Sequence, residues 1–237
     1  MTDRMRRRVI PLVLVHGSGH IHESFDAQVA AFGCDAVSLP GHPEGEALGS
    51  VGDCAAWLAK YLHWKRVDRA IVGGNSLGGA IAIEFALRYP EQTAGLVLIG
   101  TGARLKVAPM IFEMIDTRWP DCIDDLVGFS LSAGADPSLR ARVRSWHQLV
   151  GPQSTRRDYQ NCDEFDAMER VASIRARTLI VVGAEDKMTP QKYSAYLHDQ
   201  IAGSELAVID GAGHMAHAEK PEAVNERIQA VFSESRT

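Results

Sequence analysis

The feature that most constrains this chain is a glycine-rich turn between an apolar strand and a helix. Residues 74–78 read Gly-Asn-Ser-Leu-Gly, after the apolar run Ala70–Val72 and before a helical apolar pattern that stops at Pro90. A turn of the form G-x-S-x-G holds its serine in a strained conformation, and a Cβ two residues to either side would collide with the turn. The free N–H groups at the start of the helix favour developing negative charge beside that serine. We therefore predict that Ser76 is a nucleophile, rather than a surface serine in an ordinary turn.

The composition is that of a globular chain with a substantial core. Of the 237 residues, 46% are hydrophobic and 23% are charged, which suits one α/β domain or two small ones. The net charge of −5 argues against a nucleic-acid partner, because no basic face balances the acidic residues. The cysteines are far apart and form no C-x-x-C pair, which predicts neither a zinc site nor a disulfide framework: Cys34, Cys54, Cys122 and Cys162.

The N-terminal segment imitates a secretory signal peptide. The basic stretch Met5–Arg8 precedes the apolar run Val9–Val15. Against that interpretation, Pro11 interrupts the run, no small-residue cleavage site follows, and the run leads directly into His-Gly-Ser-Gly at 16–19. We interpret the run as the first core strand and expect a cytoplasmic protein. No apolar stretch approaches the ~20 residues that a membrane span needs, so no membrane partner is expected.

Strand and helix patterns alternate along most of the chain. Apolar runs predict buried strands at Val9–Val15, Gly95–Gly100 and Arg177–Gly183. Further strands are predicted at Cys34–Leu39, which is short, at Ala70–Val72 before the serine turn, and at Glu205–Asp210, the last strand. Helical spacing predicts helices near Glu23–Phe32, from Val51 to about Trp64, after Thr189 with its hydroxyl as the cap, and from Pro221 with Val224, Ile228, Val231 and Phe232 facing inward. This alternation predicts an α/β fold with a doubly wound, mostly parallel sheet.

The alternation is interrupted once, from about Ala103 to Val171. No strand pattern appears there, and breaks at Pro120, at 135–137 and at 151–152 predict three or four short helices. We interpret 103–171 as a helical lid over the carboxyl edge of the sheet, inserted in a core made of 1–102 and 172–237. The alternative is an ordinary helical excursion with its own core. Candidate substrate contacts, on the lid and beside the predicted catalytic residues, are Gly17, Met110, Trp119, Phe129, Trp146, Met188 and Met215.

A nucleophilic serine needs a base, and the base needs an orienting acid. His214 follows the last predicted strand in a glycine-rich loop and is the candidate base; His217 is the runner-up, expected to support that loop or face solvent. Asp186, just past the strand Arg177–Gly183, is the candidate acid. Glu185 and Asp210 are alternative acids.

His20 and His22 form an H-x-H pair, but no further metal ligands are evident at matching spacing. We therefore expect neither a metal nor another cofactor.

With Ser76, Asp186 and His214 in that chain order, and His-Gly-Ser-Gly at 16–19 after the first strand, the sequence resembles the α/β-hydrolase family over nearly its whole length. The resemblance implies an oxyanion hole made by the backbone N–H groups of Leu77 and Ser18. It also implies attack of Ser76 on an acyl carbonyl, with His214 as base and Asp186 orienting it. Many members begin with an antiparallel hairpin. Few residues precede the first strand here, so we expect a truncated hairpin and about six strands.

Within the family, the sequence around His214 and the small size look most like small carboxylesterases and enol-lactonases. The resemblance implies hydrolysis of a small ester by water. The turn at Ser76 also resembles that of the meta-cleavage-product hydrolases, which cut carbon–carbon bonds, and this is the second hypothesis. A non-catalytic ligand-binding protein on the same fold is the alternative from another class. The sequence leaves open whether the protein forms a homo-oligomer.

Overall fold

The computed structural model describes residues 10–233 and places six parallel strands in one sheet, in the order β2-β1-β3-β4-β5-β6. This confirms the doubly wound sheet of about six strands. The strands are β1 (Leu12–Val15), β2 (Asp35–Val37), β3 (Ala70–Asn75), β4 (Thr93–Ile99), β5 (Arg177–Gly183) and β6 (Glu205–Ile209). Val9, predicted to open the first strand, lies outside the described residues. The second strand is shorter than predicted, and it lies at the edge of the sheet, where it pairs with β1.

Helices cover both faces of the sheet. They are α1 (Asp26–Phe32), α2 (Val51–Trp64), α3 (Leu77–Arg88), α4 (Pro109–Arg118), α5 (Ile123–Ser130), α6 (Pro137–Glu164), α7 (Gln191–Gln200), α8 (Ala216–Glu219) and α9 (Pro221–Phe232). One apolar cluster joins the sheet to α2, α3 and α7, and a second joins its other face to α1, α8 and α9. The predicted helix at Glu23–Phe32 is divided into a 3-10 turn, His22–Phe25, followed by α1.

The central strands are apolar on both faces because both faces are covered. In β4, Leu96 and Leu98 pack into the cluster under α2 and α3, whereas Val97 and Ile99 pack into the cluster under α9. Alternate side chains of a strand point to opposite faces, so a strand covered on both sides must be apolar throughout. The parallel order also brings the carboxyl ends of β1, β3, β5 and β6 to one edge of the sheet.

The segment between β4 and β5 carries α4, α5 and α6 and, apart from an isolated bridge between Arg104 and Asp166, no strand pairing. Gly151 interrupts α6 with φ 80° and ψ 171°, directly before Pro152, so α6 is two helices joined at a kink. The breaks predicted at Pro120, 135–137 and 151–152 therefore coincide with helix ends or with this kink.

Two further apolar clusters hold these helices together and to the core. One is built from α4, α5 and Tyr159 of α6. The other joins α5 and α6 to Ile21 and Met215 of the core. Within residues 10–233, no helix is long and apolar enough to cross a membrane.

Candidate active site

Ser76 lies in a sharp turn between β3 and α3. Its backbone has φ 55° and ψ −114°, a conformation that a residue with a side chain rarely adopts. Two hydrogen bonds hold the turn: the N–H of Ser76 donates to the carbonyl of Ile99 (2.9 Å), and Thr101 Oγ1 donates to the carbonyl of Ser76 (2.9 Å). Strain at one residue, held by its neighbours, is typical of a functional position.

Glycines on both sides of Ser76 are required by close backbone contact. A Cβ on Gly78 would overlap the carbonyl oxygen of Val15, and a Cβ on Gly74 would overlap the same atom. The turn therefore lies directly against the end of β1, and no side chain fits at either position. This contact also brings the loop that follows β1 beside the serine.

His214 and Asp186 are in direct contact at the same edge of the sheet. His214 Nδ1 lies 2.9 Å from Asp186 Oδ2 and 3.1 Å from Oδ1. The side chains are almost fully buried, at 3% and 0% exposure. Burial raises the pKa of Asp186, but the charge and hydrogen bond of His214 and the donors of Thr189 outweigh it, so the pKa lies below its usual value. Asp186 is therefore an ionised acceptor.

Thr189 supplies two further donors to the carboxylate of Asp186. Its N–H donates to Oδ1 (2.8 Å) and its hydroxyl donates to Oδ2 (2.8 Å); the N–H of Met188 also donates to Oδ1 (2.9 Å). The prediction that the Thr189 hydroxyl caps the next helix is wrong. The helix α7 begins at Gln191 without a side-chain cap, because Pro190 occupies the cap position and the Thr189 hydroxyl is turned towards Asp186.

The tautomer of His214 follows from these contacts. Because Asp186 only accepts, Nδ1 of His214 carries a proton, and in the neutral ring it is Nε2 that bears the lone pair. Nε2 is buried and has no hydrogen-bond partner within residues 10–233. Asn75 Nδ2 donates to the backbone carbonyl of His214 (2.9 Å), so the residue before Ser76 ties the histidine loop to the serine turn.

The other candidate acids and the runner-up histidine lie elsewhere. Glu185 and Asp210 are both exposed. His217 is fully buried, stacked on Phe25 with ring centroids 4.3 Å apart. We expected His217 either to support the loop or to face solvent, and its burial contradicts the second of these. Its neighbour Ala216 begins a helix that packs on α9, and this turns residue 217 inward.

The loop after β1 lies beside the serine turn. Leu77 is the first residue of α3, so its N–H has no acceptor within the helix. Ser18 is nearly buried, and its Oγ lies 3.6 Å from the Sγ of Cys162. A Cβ on Gly17 would lie 2.9 Å from Asn75 Oδ1, so this loop passes close to the residue that precedes Ser76.

A cavity of about 40 Å³ opens at Ser76. Of the predicted substrate contacts, Met188 lines it. Sequence reasoning missed its other walls, which are contributed by the segment 105–107, by α6 and by the start of α7: Leu105, Lys106, Val107, Tyr159, Cys162, Thr189 and Tyr193. Thr189 carried a usable signal, since it is three residues from Asp186. The remainder come from distant segments, whose position depends on how the helices dock.

The remaining predicted contacts do not line this cavity. Met110 is half exposed on α4. Trp146 and Met215 are buried in the cluster of α5 and α6, and Trp119 and Phe129 pack at the edges of the helical clusters.

The described part of the chain holds no group of three or more His, Cys, Asp or Glu side chains arranged for a metal ion. Of the H-x-H pair, His20 is buried, whereas His22 is exposed and bonded to Ser38 at 2.9 Å.

Comparison with known proteins finds relatives of one family. Residues 12–227 match the model of the alpha/beta hydrolase family. A 2-hydroxy-6-oxononadienedioate/2-hydroxy-6-oxononatrienedioate hydrolase of Escherichia coli K12 is 30% identical over 252 residues, covering 92% of this chain and 85% of that protein.

Solved structures are also similar. A thermophilic esterase is 33% identical, with a TM-score of 0.88, and the match covers 96% of this chain and 91% of that one. An enol-lactonase of Burkholderia xenovorans LB400 shares the fold at 18% identity, with a TM-score of 0.87 over 96% of this chain and 93% of that one. The chain therefore belongs to the alpha/beta hydrolase family.

Proposed function

We propose that this protein hydrolyses small carboxylic esters through an acyl-enzyme, with Ser76 as nucleophile, His214 as general base and Asp186 as the orienting acid. The observation that carries the proposal is the free Nε2 of a buried histidine. Asp186 fixes the His214 tautomer from the other side, and Asn75 fastens the histidine loop to the serine turn. In the neutral ring, such a nitrogen can remove a proton from a hydroxyl that comes within hydrogen-bonding distance.

The chemical steps follow from these roles. His214 removes the proton from Ser76 as the oxygen attacks the ester carbonyl, and the imidazolium that forms is stabilised by Asp186. The N–H groups of Leu77 and Ser18 donate to the oxyanion of the tetrahedral intermediate, and loss of one such donor typically costs about 3 kcal/mol of barrier. His214 then protonates the leaving alcohol, and water activated by the same nitrogen releases the acid.

The size of the cavity at Ser76 favours a substrate with a short acyl group. Its volume of about 40 Å³ is walled largely by apolar side chains. The segment 105–107 and α6 contribute much of that wall, which supports a lid role for 103–171 over a core of 1–102 and 172–237. A lid that covers the serine excludes bulk water and strengthens electrostatic interactions inside. The 33% identity with a thermophilic esterase supports the same substrate class.

A second candidate is hydrolysis of a carbon–carbon bond. The observation that favours it is the 30% identity to the Escherichia coli 2-hydroxy-6-oxononadienedioate hydrolase over most of both chains. The same three side chains would act on a ketone carbonyl, and the bond that breaks would join two carbons.

The test is turnover of p-nitrophenyl acetate and butyrate by the wild type and by Ser76→Ala, with a vinylogous diketone assayed in parallel. We expect ester hydrolysis that the substitution abolishes, and labelling of Ser76 by a fluorophosphonate. Equal rates for the two proteins on both esters would overturn the proposal. Turnover of the diketone alone would favour the second candidate, whereas a folded protein that resists the label would indicate a non-catalytic binder.

A further inference from the structure

A second cavity, of about 300 Å³, lies next to the cavity at Ser76. The two share Lys106 and Tyr193 in their walls. The inner cavity is small and largely apolar, so it suits a short acyl group and little more. The alcohol part of an ester held at Ser76 then extends beyond it, and the outer cavity, which shares two wall residues with the inner one, is a space that can receive it.

The outer cavity is lined by positive charge. Of the seven residues that line it, three are cations, Arg104, Lys106 and Lys192, and none is a carboxylate. Arg104 and Lys106 each have an acidic neighbour outside the lining, at 3.8 Å and 3.6 Å. Lys106 Nζ also donates to the backbone carbonyl of Asp163 (2.6 Å), which holds it in place. Both ion pairs are long and half exposed, so they are weak, and the two cations can still attract a further anion.

Lys192, the third cation, contacts an aromatic ring of the same wall. Its Nζ lies 5.7 Å from the ring centroid of Tyr193, a residue that lines both cavities. The chain as a whole carries a net charge of −5, so this positive wall is a local departure from the charge of the protein. A concave surface lined by one sign of charge concentrates ligands of the opposite sign.

We propose that the outer cavity binds an anionic group, a carboxylate or a phosphate, on the alcohol part of the substrate. This inference rests on the proposed ester hydrolysis at Ser76. Arg104, Lys106 and Lys192 supply the charge, and the apolar inner cavity holds the acyl group. The protein then prefers esters whose leaving alcohol is anionic.

Three acetate esters with similar leaving groups test the proposal: methyl p-acetoxybenzoate, which is neutral, p-acetoxybenzoate and p-acetoxyphenyl phosphate. Each kcat/KM is divided by the rate of hydroxide-catalysed hydrolysis, which removes the intrinsic reactivity of the ester. We expect the anionic esters to be favoured by about 10-fold at low ionic strength, with the preference reduced by salt. The carboxylate and phosphate esters, compared with each other, show which anion the cavity suits.

Variants assign the preference to the cavity. Lys192→Gln and Arg104→Gln should each lower the anionic-to-neutral ratio by about three-fold. Lys60→Gln removes an exposed positive charge from α2, outside both cavities, and should leave the ratio unchanged. A wild-type ratio near one, or a ratio that Lys60→Gln lowers as much as Lys192→Gln, would overturn the anion subsite. If wild type cleaves none of the three esters faster than Ser76→Ala does, it is the proposed ester hydrolysis that fails.

A separate observation concerns Asp158, a buried carboxylate on α6. It is 2% exposed, and its Oδ2 accepts from the N–H of Gly19 (2.8 Å) and lies 2.8 Å from Nε2 of His42. His42 Nδ1 lies 3.2 Å from the carbonyl of Pro40. Both neighbours of the His42 ring are acceptors, an arrangement that favours the doubly protonated ring, in which both nitrogens donate. Asp158 and His42 therefore form a buried ion pair.

The surroundings agree with this assignment. Burial lowers the pKa of His42, but the charge and hydrogen bond of Asp158 outweigh that effect and raise it above the usual value. The neighbouring ring of His16 has its centroid 4.5 Å from that of His42 and is neutral, because its Nε2 accepts the N–H of Leu39 (3.1 Å). The ion pair is thus accommodated beside a ring that carries no charge.

We infer that Asp158 is a positioning residue for the oxyanion hole, an inference that also rests on the proposed function. Gly19 directly follows Ser18, whose N–H is the proposed donor. A second contact from the same helix, Cys162 Sγ to Ser18 Oγ, reaches the same loop. Asp158 thus holds the loop from the helical segment, and its charge is balanced by His42. Such positioning matters because a small displacement of an oxyanion donor weakens transition-state binding.

The test compares Asp158→Ser, which is too short to keep the bond to Gly19, with Asp158→Asn, which retains an oxygen acceptor. We expect Asp158→Ser to lower kcat by about 10-fold with KM within about two-fold, and to weaken inhibition by butylboronic acid by the same factor. Asp158→Asn should recover most of kcat. Glu164→Ser, which removes an exposed carboxylate from the end of the same helix, is the matched control.

An Asp158→Ser variant with unchanged kcat, or with a change in KM alone, would overturn the positioning role. If that variant does not fold, Asp158→Asn decides the question: a folded Asn variant that has lost activity contradicts the role, and one that keeps it supports the role. The failure of wild type to exceed Ser76→Ala would instead refute the ester hydrolysis beneath both inferences.

Discussion

The hydroxyl of Thr189 donates to Asp186 Oδ2 at 2.8 Å, and the same oxygen of Thr189 lies 3.2 Å from Nδ1 of His214. The threonine thus touches both members of the pair. Together with the N–H groups of Met188 and Thr189, it leaves the Asp186 carboxylate one orientation, with Oδ2 facing the histidine. The orientation of the proposed base therefore depends on a residue that itself performs no chemistry.

Asp186→Asn should lower kcat for p-nitrophenyl acetate by about 10⁴-fold, the size of effect known when a triad aspartate becomes an amide. The amide can donate to Nδ1, and it then favours the tautomer in which Nε2 carries the proton and cannot act as base. The control is Glu185→Gln, an exposed neighbour, which should keep wild-type turnover. A comparable loss in the Glu185 variant would mean that the acid role is wrongly assigned to Asp186.

Thr189→Val should lower kcat by about 10-fold, because a hydrogen bond to a charged group is lost inside the site. The isosteric side chain leaves the packing intact. Thr189→Ser, which restores the hydroxyl, should recover most of the activity. Steady-state kinetics of the three proteins are sufficient: full activity in the Val variant would contradict a role for the hydroxyl, and equal losses in the Val and Ser variants would mean that the methyl group is needed as much as the hydroxyl.

The elements that carry the proposed catalytic residues could be predicted from sequence because each is a local pattern. The strand β5 has the predicted bounds, Arg177–Gly183, since it is an apolar run covered on both faces. Asp186 and His214 each follow a strand at the same sheet edge, so a parallel sheet places them near one another whatever the loops do. The strand order brings the two loops together, and the contact at 2.9 Å then depends on loop contacts such as those of Thr189 and Asn75.

The cavity walls could not be predicted, because they depend on how distant helices dock. Met110 and Met114 have the same side chain and lie one helical turn apart on α4, yet the first is half exposed and the second is buried. Which of them faces inward is decided by contacts of α4 with α5 and α6, and hydrophobicity alone does not distinguish them. Thr189 was misassigned for a related reason: its hydroxyl is turned towards a carboxylate of the site and not towards the first N–H groups of a helix.

Acid should destabilise the protein through its buried histidines, and His217 has a strongly lowered pKa. Burial and then the nearby charge of His214 lower the pKa of His217 from 6.5 to about 3. Between those two values the unfolded chain binds a proton that the folded chain does not. The free energy of unfolding contributed by this group is therefore fully present above about pH 6.5 and is lost as the pH falls towards 3.

His217→Phe should remove this pH-dependent contribution to the free energy of unfolding, and the new ring should retain the stacking on Phe25. We expect the slope of unfolding free energy against pH, measured by urea titration at pH 6, 5 and 4, to decrease by about 1.4 kcal/mol per pH unit relative to wild type. Other buried histidines, such as His147 with a pKa of about 4, keep the remaining slope above zero. An unchanged slope would mean that the folded protein protonates residue 217.

Two glycines give a final, paired prediction about the serine turn. Gly78→Ala places a Cβ on the carbonyl oxygen of Val15, in a central strand that cannot move away without breaking its pairing with β3. Unfolding free energy should fall by about 3 kcal/mol, and turnover should fall with it as the turn at Ser76 is displaced. Gly128→Ala, in α5, meets nothing within 4 Å and should raise stability by about 0.5–1 kcal/mol, because alanine is the better helix former. Equal effects at both positions would mean that helix propensity, and not the contact with β1, requires the glycine beside the proposed nucleophile.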